Sequence, residues 1–129
     1  MDHNNQNILS LDSHNAVDLD KFNHIIRGDI DLGLSLLMLF KKQAFEYLND
    51  LNYAFSHNTQ DNKPLLEAIH ALKGASLSVA ADKVTTQSQI IEEKMRAKIN
   101  IDQSDYDNIA GAIQELLNYI TAIEAKTKN

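Results

Sequence analysis

The sequence has no cysteine and no tryptophan, one proline and four glycines in 129 residues. Without cysteine there is no disulfide, no thiolate metal site and no cysteine nucleophile. That absence also fits a reducing compartment. So little proline and glycine excludes an all-β chain built on many tight turns. Basic residues are outnumbered, 12 Lys and Arg against 18 Asp and Glu for a net charge of −6, which argues against a partner gripped through its phosphate backbone. No apolar run is long. The strongest, Leu32 to Phe40, is interrupted by Gly33 and Ser35, and a bilayer-spanning helix needs about 20 apolar residues. The opening residues Met1 to Gln6 carry neither the basic cluster nor the apolar core of a secretory signal. The expectation is a cytoplasmic protein that binds neither nucleic acid nor membrane.

What is present is a chain 43% hydrophobic and 23% charged, a balance that favours a globular fold over disorder. Its length suits one domain with one sizeable core. Residues 1–16, rich in Asn, are read as a flexible tail on which Ile8, Leu9 and Leu11 can pack loosely. That tail and the natural-looking Met1 favour a free-standing protein.

From there the apolar spacing is helical throughout. A short helix is predicted over Asp18 to Ile26, stopped at Arg27-Gly28. A long one follows from Ile30 to Phe55, its core stripe Ile30, Leu34, Leu37, Ala44, Leu48, Leu51 and Phe55. Pro64 suits the first turn of a third helix ending at Val79. A fourth runs from Ala81 to Ala97, and a fifth from Ser104 to Ala125 behind the capping residues of Ile101 to Ser104. Four amphipathic helices on short loops must bury their stripes against one another. The economical solution is all-α, an antiparallel up-down-up-down four-helix bundle with a short N-terminal helix.

The third helix carries the information. At about 100° per residue, Leu65, Leu72 and Val79 form its core face, flanked by Ala68, Ile69, Ala75 and Ser76, and His70 points the other way. Within about 60° of His70 on that projection lie Leu66, Lys73, Gly74 and Leu77. Most lone helical histidines have no special role, and His3, His14, His24 and His57 are read so. The neighbours of His70 look chosen for contact. A mid-helix glycine costs about 1 kcal/mol relative to alanine, and at Gly74 that cost makes sense if another backbone must come close. Leu66 and Leu77 leave apolar surface on the solvent side, and Lys73 can reach an anion on the imidazole. A neutral imidazole nitrogen is a nucleophile, and a phosphoryl group needs open access and positive charge at its oxygens. The pattern points to a phosphorylatable histidine docked by a partner that brings the remaining machinery.

The run Ala68-Ile69-His70-Ala71-Leu72-Lys73-Gly74-Ala75-Ser76 resembles the signature of the histidine phosphotransfer (HPt) family, H-x-L-K-G-x-S within a helix. Ile91-Glu92 matches the apolar residue and Glu or Gln that such families carry on the fourth helix, and Leu36 to Leu51 looks like their long second helix. The Gly-Ala pair usual after the signature reads Ala80-Ala81 here, a departure that bears on the turn rather than the chemistry. The domain is assigned to residues 17–126. The resemblance implies a phosphorelay intermediate of two-component signalling, a phosphocarrier without kinase activity or ATP. It implies two partners: the receiver domain of a hybrid histidine kinase, and a response regulator. Mg²⁺ is expected on the partner receiver, with no cofactor on this chain, which is taken as a monomer. His70 is then the phosphoacceptor, Lys73 steadies the phosphate, and Glu92 hydrogen-bonds the imidazole and sets its tautomer. Leu66, Gly74 and Leu77, with Leu36 and Phe40 from the apolar surplus of the second helix, make the docking patch. The blander reading of that surplus is that it buries the short first helix. Lys94 and Arg96 are by default a solvated face, with reach to the site as the alternative for Arg96.

Other classes fare worse. Glu67-Ala68-Ile69-His70 is an E-x-x-H, yet a di-iron bundle needs two such motifs and two more inward Glu residues. Zinc lacks a second His within helical reach of His70. An adaptor that docks a receiver or kinase without carrying phosphate is the remaining alternative, and the intact His70, Lys73 and Gly74 speak against it.

Overall fold

The computed structural model describes residues 8, 9, 16–56 and 63–127. Five helices are defined, with no strand among the described residues: α1 (Leu19–Ile26), α2 (Ile30–Ser56), α3 (Lys63–Ser78), α4 (Asp82–Arg96) and α5 (Gln103–Thr127). Each boundary falls within two residues of the sequence expectation.

The ends are set by local chemistry. Asp18 caps α1 by accepting from the Lys21 amide at 3.2 Å, and Asp29 does the same for the Leu32 amide of α2 at 3.1 Å. At the start of α5, Asp102 and Asp105 cap each other reciprocally: each carboxylate accepts from the other's amide, at 3.0 Å in both directions. Three helices end on a left-handed residue other than glycine. Arg27 takes that conformation after α1, ahead of Gly28, where the sequence pointed to Gly28; Ala80 follows α3 and Lys98 follows α4. After α3 the Ala81 amide reaches the Ser76 carbonyl at 2.9 Å and the Ala80 amide reaches Leu77 at 3.2 Å. This is the paired closure usually built on glycine.

Helices α2 to α5 pack in a ring, each against the next and α5 against α2, while α1 lies on α2. The shared interior is aliphatic: Leu37, Ala44 and Leu51 of α2; Leu65, Ile69 and Leu72 of α3; Val84 and Ile91 of α4; Ile109, Ile113, Leu116, Ile120 and Ile123 of α5. Helix α1 seats Phe22 and Ile26 over Gly33, where an added methyl would meet Ile26 Cδ1 at 3.0 Å. Of the apolar surplus of α2, Leu32 and Leu39 stay exposed, Leu36 and Met38 are half-buried against the core and Phe40 is buried. The Asp18 amide donates to the Ala80 carbonyl at 2.9 Å, so α1 also closes the end of the bundle at the α3–α4 turn.

The expected tail, residues 1–16, falls largely outside the described residues. Of those described, Leu9 and Ala16 are buried, and the Tyr119 hydroxyl donates to the Leu9 carbonyl. No helix among the described residues is long and apolar enough to cross a membrane.

Candidate functional site

Helix α3 presents its core stripe, Leu65, Ala68, Ile69, Leu72 and Ser76, to the bundle, which turns His70 outward as the periodicity requires. The imidazole is 80% exposed. A carboxylate neighbour comes from α4. There Ile91 is a core residue, and that registers the next position, Glu92, against α3. Glu92 is 3% exposed, with Oε2 at 3.5 Å from His70 Nδ1. Its other oxygen, Oε1, accepts from Lys73 Nζ at 3.2 Å and lies 3.2 Å from Arg96 Nη2.

A nearly buried carboxylate is stable only when paired, and the Lys73 hydrogen bond lowers the Glu92 pKa against the opposing effect of burial. The His70 contact and the charges of Lys73 and Arg96 act in the same direction. Glu92 is therefore a carboxylate at neutral pH, an acceptor placed to hold the Nδ1 proton.

Around the imidazole, Leu66, Gly74 and Leu77 are exposed. No atom lies within 4 Å of a methyl built on Gly74, so nothing inside the chain calls for glycine there. Gly111 on α5 is equally open, and nothing in the structure explains it. The docking patch needs one correction. Phe40 is 2% exposed and belongs to the core, its ring 6.0 Å from that of Tyr47. At helical spacing it continues the line Leu37, Ala44, Leu51 rather than the outer face. Leu36 is half-buried and packed against the core.

Three further residues have roles that periodicity alone does not reveal. Arg96, by default a solvated residue with reach to the site as the alternative, does reach it. Lys94, also solvated by default, grips buried Asp105 through both carboxylate oxygens at 2.8 and 2.9 Å. Ser76, the last residue of the signature, is fully buried and shares a 2.7 Å hydrogen bond with the Thr85 hydroxyl, tying α3 to α4. The i,i+4 spacing of Glu92 and Arg96 was the available signal for the first. Of the remaining histidines, His24 is exposed, and His3, His14 and His57 lie outside the described residues. Among the described residues no group of three or more His, Cys, Asp or Glu could hold a metal ion.

An open groove of about 610 Å³ lies between α4 and α5 around Lys83 and Glu115, and another of about 320 Å³ lies between α2 and α3 around Tyr47 and Ala71. His70 lines neither of these grooves.

A family model for the Hpt domain matches residues 35–126, from within α2 almost to the end of α5. The chain belongs to the Hpt family. Hpt domains are phosphocarriers rather than kinases, and this one has a phosphotransfer role in two-component signalling. The fold agrees: the HPT domain of an Hpt sensor hybrid histidine kinase from Shewanella superposes with a TM-score of 0.68 at 19% identity, over 88% of this chain and 95% of that one. No curated protein matches at a significant level. Within this Hpt domain the signature brings His70, Lys73 and Gly74 to one face, and Glu92 completes it from α4.

Proposed function

We propose that this Hpt domain is a phosphorelay intermediate: His70 accepts a phosphoryl group from the aspartate of a receiver domain and passes it to the aspartate of a response regulator. One observation carries the reading. His70 turns Nδ1 to a buried carboxylate and leaves the rest of the ring in solvent. With the proton on Nδ1 and accepted by Glu92, the Nε2 lone pair is free and faces outward.

The step balances. Nε2 attacks the phosphorus of the receiver's acyl phosphate; the N–P bond forms as the P–O bond to aspartate breaks, and the aspartate leaves as a carboxylate. The ring, still protonated at Nδ1, gains a positive charge beside Glu92. Lys73 supplies charge at the phosphoryl oxygens. The receivers are expected to contribute Mg²⁺, and this chain needs no cofactor of its own. Gly74 and the exposed Leu66 and Leu77 give the receiver a close approach. We place the protein in the cytoplasm, as a monomer.

The test is transfer from a panel of chemically phosphorylated receiver domains. Wild type should acquire acid-labile phosphate and His70→Gln none, with receiver binding nearly unchanged. Wild type that is folded and binds receivers yet takes no phosphate would replace the relay with an adaptor.

A further inference from the structure

The groove between α4 and α5 lies outside everything the relay uses. Helix α4 has two flanks. On one, Thr85 and Glu92 bond Ser76 and Lys73 of α3. On the other, Lys83 and Lys94 bond Glu115 and Asp105 of α5. The groove, about 610 Å³ in volume, runs along the second flank and shares no residue with the His70 face.

Its lining has two features that the fold does not require. Gly111 sits in the interior of α5, where glycine weakens a helix, and a methyl built on it meets no atom within 4 Å. Ala112 beside it is also small, so that wall of the groove is low. The second feature is charge. Three acids, Asp82, Asp107 and Glu115, share the lining with one lysine. Lys83 holds Glu115 at 2.9 and 3.1 Å, and Lys21 of α1 holds Asp82 at 2.9 Å. Asp107 accepts from the neutral Gln103 amide at 2.9 Å, and no cation among the described residues pairs with it.

We infer that this groove is a second docking surface, which takes a basic segment of a partner protein while the His70 face stays free for a receiver. The segment crosses close over Gly111 and sets a Lys or Arg against Asp107, with the side-chain amides of Gln87 and Asn108 available to its backbone. A carrier held in this way keeps its phosphoryl face open. Other occupants fit worse. A second copy in two-fold arrangement sets the acidic groove against itself. A nucleic acid has the wrong charge. A metal ion finds no group of three or more ligating side chains among the described residues.

The experiment follows backbone amide shifts by NMR as a helical peptide of lysine and alanine is added, with the matching glutamate and alanine peptide as control. The lysine peptide should move the amides of Gln87, Asp107, Asn108 and Gly111 and leave those around His70 in place. The control should move none. Gly111→Gln keeps the charge unchanged and should weaken the peptide about fivefold or more; Asp107→Asn should weaken it about threefold. Melting curves establish that both variants are folded. Transfer from a phosphorylated receiver to His70 should run at the same rate with the peptide bound.

Shifts scattered over the acidic surface and indifferent to Gly111→Gln would reduce the effect to net charge and overturn the inference. Groove amides that move on dilution of the protein alone would overturn it in favour of a second copy. Groove amides that move on removal of residues 1–7 would overturn it in favour of this chain's own segment. A bound peptide that stops transfer would overturn it too, by placing both partners on one face. Wild type that takes no phosphate removes the relay and leaves the amide shifts to decide the groove.

Discussion

His70 and Glu92, 22 residues apart in sequence, face each other at 3.5 Å across the seam of α3 and α4, one ring in solvent and one carboxylate in the protein. In the proposed relay the carboxylate fixes which nitrogen keeps its proton, and hence which one attacks. Glu92→Ala should slow phosphorylation of His70 by about tenfold or more, the value of a charged hydrogen bond lost from the reacting state. Glu92→Gln keeps an acceptor oxygen and should retain most of the rate. Rates from a phosphorylated receiver, taken where melting curves show both variants folded, decide this; equal rates in Glu92→Ala and wild type would remove Glu92 from the mechanism.

Gly74 separates docking from folding. The space above it is empty within the chain, so Gly74→Gln should hold or raise stability, by up to about 1 kcal/mol from helix propensity. The same side chain stands where a receiver backbone is expected, and transfer should slow. Urea denaturation and the transfer rate are read on one preparation. Undiminished transfer would mean that no partner approaches over Gly74.

The left-handed residues test the turns. Lys98 is exposed with φ +58°, and Lys98→Gly should stabilise by about 0.5–1 kcal/mol, steric relief partly offset by the greater freedom of an unfolded glycine. Ala80, with φ +54°, is buried, so Ala80→Gly gives up a packed methyl and should gain less. Paired melting temperatures check the order; a larger gain at Ala80 would show that its methyl is strained rather than packed.

Asp105 gives a pH dependence with a definite sign. Burial pushes its carboxyl pKa up, but the Lys94 ammonium and the hydrogen bonds to Asp102 outweigh burial and hold it below the usual value. A carboxyl lowered on folding stabilises the protein above its unfolded pKa and loses that stabilisation as pH falls through the folded one. Asp105→Asn should therefore cost about 2 kcal/mol at neutral pH, with the gap to wild type closing below the ordinary carboxylate range. Urea midpoints across that range measure it, and a gap independent of pH would assign the loss to packing.

The helices were legible because their apolar spacing depends only on the helix itself. So was the outward turn of His70, since Leu65, Leu72 and Val79 define the opposite face. What escaped depends on how one helix is registered against another. Phe40 is one of several apolar residues crowded on α2, and the surplus hid that it continues the core line of Leu37, Ala44 and Leu51. Asp105 reads as a solvated acid until α4 delivers Lys94. Arg96 reads by default as surface, and only the burial of Glu92 selects the alternative in which it reaches the site. The Ser76–Thr85 bond joins residues whose proximity follows from the turn at Ala80, where a side chain occupies a conformation that usually selects glycine.

The seat of α1 bears on where this module can be cut. The stretch matched to the family begins at residue 35, inside α2, yet Phe22 and Ile26 are fully buried ahead of it and Lys21 pairs with Asp82 at 2.9 Å. A fragment starting at that boundary would lose Phe22 and Ile26 from the core and strip the Ala80 carbonyl of the Asp18 amide at the turn end of the bundle. The transferable unit is longer than the shared stretch, and a fusion that joins this domain to another protein must carry α1, with Val17 ahead of it, across the junction.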